Sequence, residues 1–249
     1  MTSTVRAPRA ARSPERRFYT GMAVAMFLTV YFGFAQSFFL RPWFPDVRAA
    51  HEPFFYVHGA AFAAWYILLI AQASLVAVGR SDLHVRLGRL GAGLAVLMIL
   101  LGTLGALIAA RRPTGFVGIP IPPLQFLVIP LGDMLIFGTF VGLAIARRHD
   151  PQSHKRLMLI ASIAMLGAAI ARWPIGIKAY GPPAFFGILD LFLVALALWD
   201  IASRRRLHPV TIWGGLLLVA SQPLRLMLSG TAAWLSFARW AVGDRKSVV

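Results

Sequence analysis

The sequence predicts an all-α integral membrane protein, a single bundle of about seven transmembrane helices with a cytoplasmic N-terminus. Three observations predict this class. Apolar residues make up 58% of the 249 residues and charged residues only 14%, whereas a soluble domain carries about half and about a quarter. Seven apolar runs are long enough to cross a bilayer, and the Lys and Arg residues concentrate in alternate connections.

Each predicted span is an apolar run of about 20 residues, because a helix rising about 1.5 Å per residue needs that length to cross a hydrocarbon core about 30 Å thick. In chain order the runs are residues 18–40, 54–78, 87–110, 124–146, 157–174, 184–202 and 210–229. The first run is too long for the apolar region of a signal peptide, so we expect it to be retained. The connections are short and rich in Pro, Gly and Arg, which is typical of loops. Residues 18–229 are therefore predicted to form one membrane domain without a soluble module.

The orientation follows from the cationic residues, because positively charged loops stay in the cytoplasm. With the N-terminus inside, fifteen of the 25 Lys and Arg residues fall on the cytoplasmic side and nine on the opposite side, while Arg225 lies within the last span. We therefore predict a plasma-membrane protein with its N-terminus inside and its C-terminus outside.

Both ends of the chain are predicted to lie outside the bundle. Residues 1–17 contain five Arg and two Pro, which predicts a disordered basic tail held against anionic lipid headgroups. Nucleic-acid binding is not expected, because the other arginines are scattered over several loops. In residues 230–249, Trp234, Phe237 and Trp240 recur at helical spacing beside Arg239. Twelve residues (231–242) are too few to span, so we predict an interfacial amphipathic helix followed by a C-terminal tail.

Six polar side chains on six different spans are predicted to share the outer half of the membrane. Ionisable groups inside a span are costly, so each is a candidate functional residue. They are Gln36, His58, Asp133, Arg172, Asp190 and Arg225. Together they can form one neutral network. Such a network predicts a polar chamber that is open to the outside and binds a ligand or carries protons. The alternative is a set of Asp–Arg ion pairs that hold the bundle together without a ligand.

Two histidines form the second candidate site. His84 opens the third span and His154 the fifth, both from the cytoplasmic side. Two imidazoles at equal depth on different helices are what haem b requires as axial metal ligands, each about 2 Å from the iron. The alternative is that each histidine caps its helix or contacts headgroups. Arg86 and Arg156 follow two residues later and point away from the histidines, so we expect them to reach lipid phosphates.

Several kinds of chemistry are excluded by the residues present. The chain has no cysteine, which rules out disulfides, thiolate zinc sites, iron–sulfur clusters and thioether-linked haem. It also lacks a P-loop, a dinucleotide-binding glycine fingerprint and a nucleophile elbow. The sequence therefore predicts no particular enzymatic activity.

Five short motifs carry a resemblance to known proteins. They are HG at residues 58–59, DLHVRLG at 82–88, GD at 132–133, HKRLM at 154–158 and ARWP at 171–174. Together they resemble a family of uncharacterised bacterial multi-pass membrane proteins over most of residues 20–230. This resemblance implies the bacterial inner membrane and supplies no activity.

A more distant likeness runs to the diheme cytochrome b proteins, in which histidines on spans two and four hold one haem and those on spans three and five hold the other. His84 and His154 match the second pair, whereas span four carries Asp133 and offers no partner for His58. The HKRLM opening of span five is also similar to small membrane proteins that assist respiratory-oxidase maturation.

Three functions remain open from the sequence. The first is a b-type haem or quinone-linked redox protein that uses His84 and His154. The second is a transporter or receptor-like binder with its site at the outer polar residues. The third is a non-catalytic accessory subunit that assembles with or stabilises a larger membrane complex. The partner expected besides the lipid bilayer is another membrane protein or a second copy of the chain in a homo-oligomer.

Overall fold

The computed structural model of the chain describes residues 14–47 and 53–243, and its architecture there is entirely helical. Seven helices are long and apolar enough to cross a membrane: α1 (Pro14–Phe39), α2 (Pro53–Ala77), α3 (Ser81–Arg111), α4 (Pro123–Ala146), α5 (Pro151–Ile170), α6 (Gly181–Arg204) and α7 (Pro209–Ser229). A shorter helix, α8, follows at Ala232–Val242. The predicted all-α, multi-pass class is confirmed.

The helix ends differ from the apolar runs for local reasons. Helices α3 and α5 begin at Ser81 and Pro151, ahead of the predicted residues 87 and 157, because a helix starts where its first N–H groups find acceptors. At α5 the Asp150 side chain accepts hydrogen bonds from the Gln152 and Ser153 N–H groups at 3.0 and 3.2 Å. Helix α1 begins at Pro14, so residues 14–17 of the predicted tail are helical. Residues 1–13 lie outside the described part of the chain.

Three spans are irregular in their outer halves. The last turn of α1 (Ala35–Phe39) is π-helical, α4 is interrupted at Leu127, and α5 is interrupted between Ala164 and Gly167. Such irregular turns redirect side chains and recur at functional sites. All three contribute residues to the same cavity, described below.

Helix α5 is the centre of the bundle, and the other six spans surround it. It is the most buried of the seven and has the lowest mean hydropathy, because a helix enclosed by protein has little contact with lipid. From α2, the Trp65 indole donates to the Ser162 hydroxyl at 3.1 Å and the Tyr66 hydroxyl donates to the Ser162 carbonyl at 2.9 Å. These bonds satisfy polar groups in the middle of the membrane domain.

The bundle has two ends, named here by the predicted orientation. The inner end holds residues 14, 78–80, 147–150 and 205–208, and the outer end holds residues 40–47, 112–122, 171–180 and 230.

Helix α8 packs back onto the outer end. The Trp234 indole donates to the Leu124 carbonyl at 2.8 Å, and the Arg111 Nε donates to the Val242 carbonyl at 2.5 Å. Trp240, on the opposite face, is 76% exposed. A helix of 11 residues is about 16 Å long and cannot span, so the predicted short helix is present, and its place at the membrane interface stays a prediction.

Candidate functional site

A cavity of about 270 Å³ lies in the outer half of the bundle, bordered by α1 to α6 and the loop between α3 and α4. Nine phenylalanines and two tyrosines line it: Phe34, Phe38, Phe39, Phe55, Phe62, Phe116, Phe126, Phe185, Phe186, Tyr56 and Tyr66. Its volume is near the lower end of the range for small-molecule pockets, about 300–1,000 Å³, and an aromatic wall with few polar groups is typical of them.

Small residues of α3 let neighbouring side chains approach that helix closely at the cavity. Gly102, Gly105, Ala106 and Ala109 line the cavity at helical spacing. A Cβ atom at Gly105 would lie 3.2 Å from the Phe54 ring and 3.5 Å from the His58 Nδ1. On the central helix, Ala168 borders the cavity and is exposed, although its neighbours in α5 are buried.

Three of the six polar residues predicted for this half line the cavity: His58, Asp133 and Arg172. Arg225 lies behind Asp133. Gln36 and Asp190 are not among the lining residues. The outer half of the bundle thus holds a cavity with part of the predicted polar set on its wall, and its opening to the outside and its use by a ligand or protons stay predictions.

Asp133 and Arg225 form an ion pair between α4 and α7, with 2.5 Å between the Asp133 Oδ1 and the Arg225 Nη1. Arg225 also donates to the Ile129 and Ser221 carbonyls at 3.2 and 3.1 Å. Gly132 is needed here, because a Cβ atom at that position would overlap the Arg225 side chain. The pair is largely buried, with 15% of the Asp133 side chain and 8% of the Arg225 side chain exposed.

The prediction of one network joining all six groups is wrong. Asp190 accepts a hydrogen bond from Gln222 at 2.8 Å, and no ion pair or hydrogen bond links it to Asp133, Arg172 or His58 in the described part of the chain. The cause is the geometry of α7. Gln222 and Arg225 are three residues apart and lie near one face of α7. Gln222 binds the Asp190 carboxylate of α6, and Arg225 binds the Asp133 carboxylate of α4.

Arg172 and His58 stand apart from the ion pair. The Arg172 Nη1 donates to the Ala168 carbonyl at 2.7 Å, and its guanidinium lies over the Phe34 ring at 4.8 Å from the centroid. The His58 Nδ1 is 3.3 Å from the Leu101 carbonyl, which can only accept, so Nδ1 carries the proton and Nε2 is left as an acceptor in the neutral ring. The His58 ring stacks on Phe62 at 4.2 Å.

His84 and His154 meet near the inner end, as the sequence predicts. Their ring centroids are 6.3 Å apart and the ring planes are nearly perpendicular, at 89°. The His154 Nδ1 donates to the Ala144 carbonyl at 2.8 Å, which leaves its Nε2 without that proton. The His84 Nδ1 is buried without a hydrogen-bond partner in the described residues. The side chain that caps α5 is Asp150, so the capping alternative does not account for His154.

Arg156 does not reach the lipid phosphates, and that expectation is wrong. Its side chain and that of Asp200 are both 0% exposed and form an ion pair between α5 and α6. Asp200 also accepts from the Thr211 hydroxyl at 2.5 Å and the His208 N–H at 3.1 Å. Arg86 is exposed, as expected.

Sequence reasoning missed Asp200, although the residue lies two positions inside the predicted sixth span (184–202). An ionisable residue at that depth already indicates a buried partner. Arg156 lies near the inner end of α5, as Asp200 does on α6. Opposite charges near the same end of adjacent helices can form an ion pair, so the sequence also indicated the partner of Asp200.

No group of three or more His, Cys, Asp or Glu side chains in the described residues is arranged to hold a metal ion. No protein family, characterised protein or solved structure shows significant similarity to this chain. The features of the described residues that bear on function are the outer cavity and the histidine pair, in a chain whose helices are those of a multi-pass membrane protein.

Proposed function

We propose that the protein binds a small, mainly apolar molecule in the outer cavity and works as a transporter or receptor-like binder. The observation that carries this proposal is the cavity itself, a space of about 270 Å³ with aromatic walls and a few polar side chains, among them His58, Asp133 and Arg172. Apolar walls supply binding free energy, and a few placed polar groups orient the ligand.

The alternative, in which the charged residues only hold the bundle together, explains fewer observations. It accounts for Asp133 and Arg225, which form one neutral pair. It does not account for Arg172, which forms no ion pair with a described residue, or for the cavity itself. A well-packed bundle would fill such a space, because lost packing contacts are costly.

The test uses two photoreactive probes of ten carbons, a diazirine-bearing decanol and the matching decanoate, added to the full chain in lipid nanodiscs. Saturable crosslinking to residues of the cavity is expected with at least one of them. Ala106→Phe should abolish it, because Ala106 is 4% exposed and lines the cavity. Leu100→Phe is the matched control, since Leu100 is on the same helix and 56% exposed. Crosslinks that never saturate, or that survive Ala106→Phe, would refute the proposal.

A second candidate function is one-electron transfer through a haem b, and the observation that favours it is the histidine pair. Two metal–nitrogen bonds of about 2 Å plus the two ring radii add up to about 6 Å between imidazole centroids, close to the 6.3 Å between His84 and His154. When a histidine binds a metal through one ring nitrogen, its other N–H usually donates to a partner that orients the ring, such as a backbone carbonyl. The Ala144 carbonyl accepts such a bond from the His154 Nδ1. These two residues would hold the haem, and the haem would supply the redox chemistry.

The haem candidate is tested by spectroscopy of protein produced with haem available. The reduced-minus-oxidised spectrum should show cytochrome b bands that disappear in His84→Ala and in His154→Ala. They should persist in His149→Ala, since His149 is exposed in the loop before α5. A colourless preparation of folded protein would eliminate this candidate and leave the cavity proposal standing.

A further inference from the structure

We infer that the ligand of the outer cavity is an amphipathic anion whose charged head contacts Arg172. This inference rests on the proposed function and names the ligand class for the same site.

The first step is the charge on Arg172. The guanidinium has five N–H donors, and the structure gives it one hydrogen-bond acceptor, the Ala168 carbonyl, together with the face of the Phe34 ring. The ion pairs in the described part of the chain join other residues, and none includes Arg172. Several donors of a permanent cation therefore remain available at the cavity wall.

The second step is that the one carboxylate on the wall is already neutralised. Asp133 lines the cavity but is bound by Arg225 at 2.5 Å. The charge of Arg172 therefore has no counterion among the described residues. A cation in surroundings of low polarity favours an oxyanion as its partner, and guanidinium binds carboxylate and phosphate oxygens in pairs.

The third step is the shape of the site. Arg172 follows the outer end of α5, and the cavity extends inward from it to Tyr66 and Met134. The wall of the cavity is mainly apolar and includes Phe62 and Ala106, and its carboxylate, Asp133, is paired with Arg225. A molecule with an oxyanion at one end and a hydrocarbon body at the other places its head at Arg172 and its body among these side chains.

The experiment compares the concentrations at which decanoate, decyl phosphate and decanol prevent crosslinking by the photoreactive decanoate probe. A charge-assisted hydrogen bond contributes about 1.5–3 kcal/mol, so the anions should compete at concentrations about tenfold or more below that of decanol. Decanoate and decyl phosphate distinguish a carboxylate from a phosphate head. Repeating the measurement in vesicles with and without phosphatidylglycerol shows whether a lipid headgroup occupies the site.

Arg172→Gln should remove the preference for the anions, while Arg172→Lys, which keeps the charge, should retain part of it. Arg148→Gln is the matched control, because Arg148 also donates to a backbone carbonyl but lies at the inner end. If Arg172→Gln does not fold, the inference is still tested by the Arg172→Lys variant and by the comparison of the anions with decanol on the wild-type protein. Equal competition by decanol and the anions would overturn the inference while leaving cavity binding intact. The absence of saturable crosslinking with either probe would overturn the proposed function itself.

Discussion

Replacing Asp200 with Asn should destabilise the folded protein by about 3–5 kcal/mol, the usual cost of removing one partner from a buried ion pair. Asp200 and Arg156 are both 0% exposed, so no water can solvate the arginine once its partner is neutral. Asp200 accepts hydrogen bonds from Arg156, Thr211 and the His208 N–H, and therefore links α5, α6 and the start of α7. Asparagine keeps the shape but replaces one acceptor oxygen with a donor.

The assay is denaturant titration of the purified protein in mild detergent, followed by circular dichroism. Thr211→Val removes one hydrogen bond to a charged group and should cost about 1.5–3 kcal/mol, less than Asp200→Asn. Asp82→Asn is the control, because the Arg80–Asp82 pair is exposed, with 55% and 54% of the two side chains accessible, and its loss should be undetectable. The double variant Arg156→Met/Asp200→Leu should recover only part of the loss: it leaves no unpaired buried charge, but the Thr211 hydroxyl and the His208 N–H lose their acceptor. A wild-type free energy of unfolding for Asp200→Asn would refute the reasoning.

Two further predictions concern other positions. Gly132→Ala should cost about 1–3 kcal/mol by overpacking and weaken the Asp133–Arg225 pair, whereas Gly142→Ala, where nothing lies within 4 Å of the added Cβ, should be neutral in the same titration. Hydrogen bonds from the Ser153 hydroxyl at 2.5 Å and from two N–H groups hold the pKa of Asp150 below its usual value. The stability that Asp150 contributes is therefore present above the ordinary carboxyl pKa of about 4 and is lost as the pH falls through the lowered pKa. Thermal unfolding followed from pH 5 downward should show a smaller loss for Asp150→Asn than for the wild type, and identical profiles would contradict the assignment.

The spans could be predicted from the sequence because their length is fixed by the bilayer. Depth along each helix could be predicted for the same reason. It placed His58, Asp133 and Arg172 in the outer half of the membrane and His84 and His154 at equal depth on the inner side. Rotation about the helix axis could not. A span that is apolar on all sides carries little indication of which face turns inward.

That missing rotation explains the two errors among the polar groups. Asp190 and Asp133 are at similar depth, but the structure turns them toward Gln222 and Arg225 on α7. Arg156, two residues from His154, turns inward to Asp200. The cavity could not be predicted from its small residues either. Gly105 and Ala106 in an apolar run are compatible with close helix packing as well as with an open space.

The proposed function requires above all that the outer cavity be accessible and be occupied by a ligand. The chain has no cysteine, so one introduced thiol can be labelled without background. Ala168→Cys lies on the cavity wall, and Ala161→Cys, two turns earlier on the same helix, is 0% exposed. A membrane-impermeant thiol reagent added from the outer side should label Ala168→Cys rapidly, more slowly once decanoate is bound, and should leave Ala161→Cys unmodified. Equal inertness of the two cysteines, or faster labelling of Ala168→Cys from the inner side, would contradict the account.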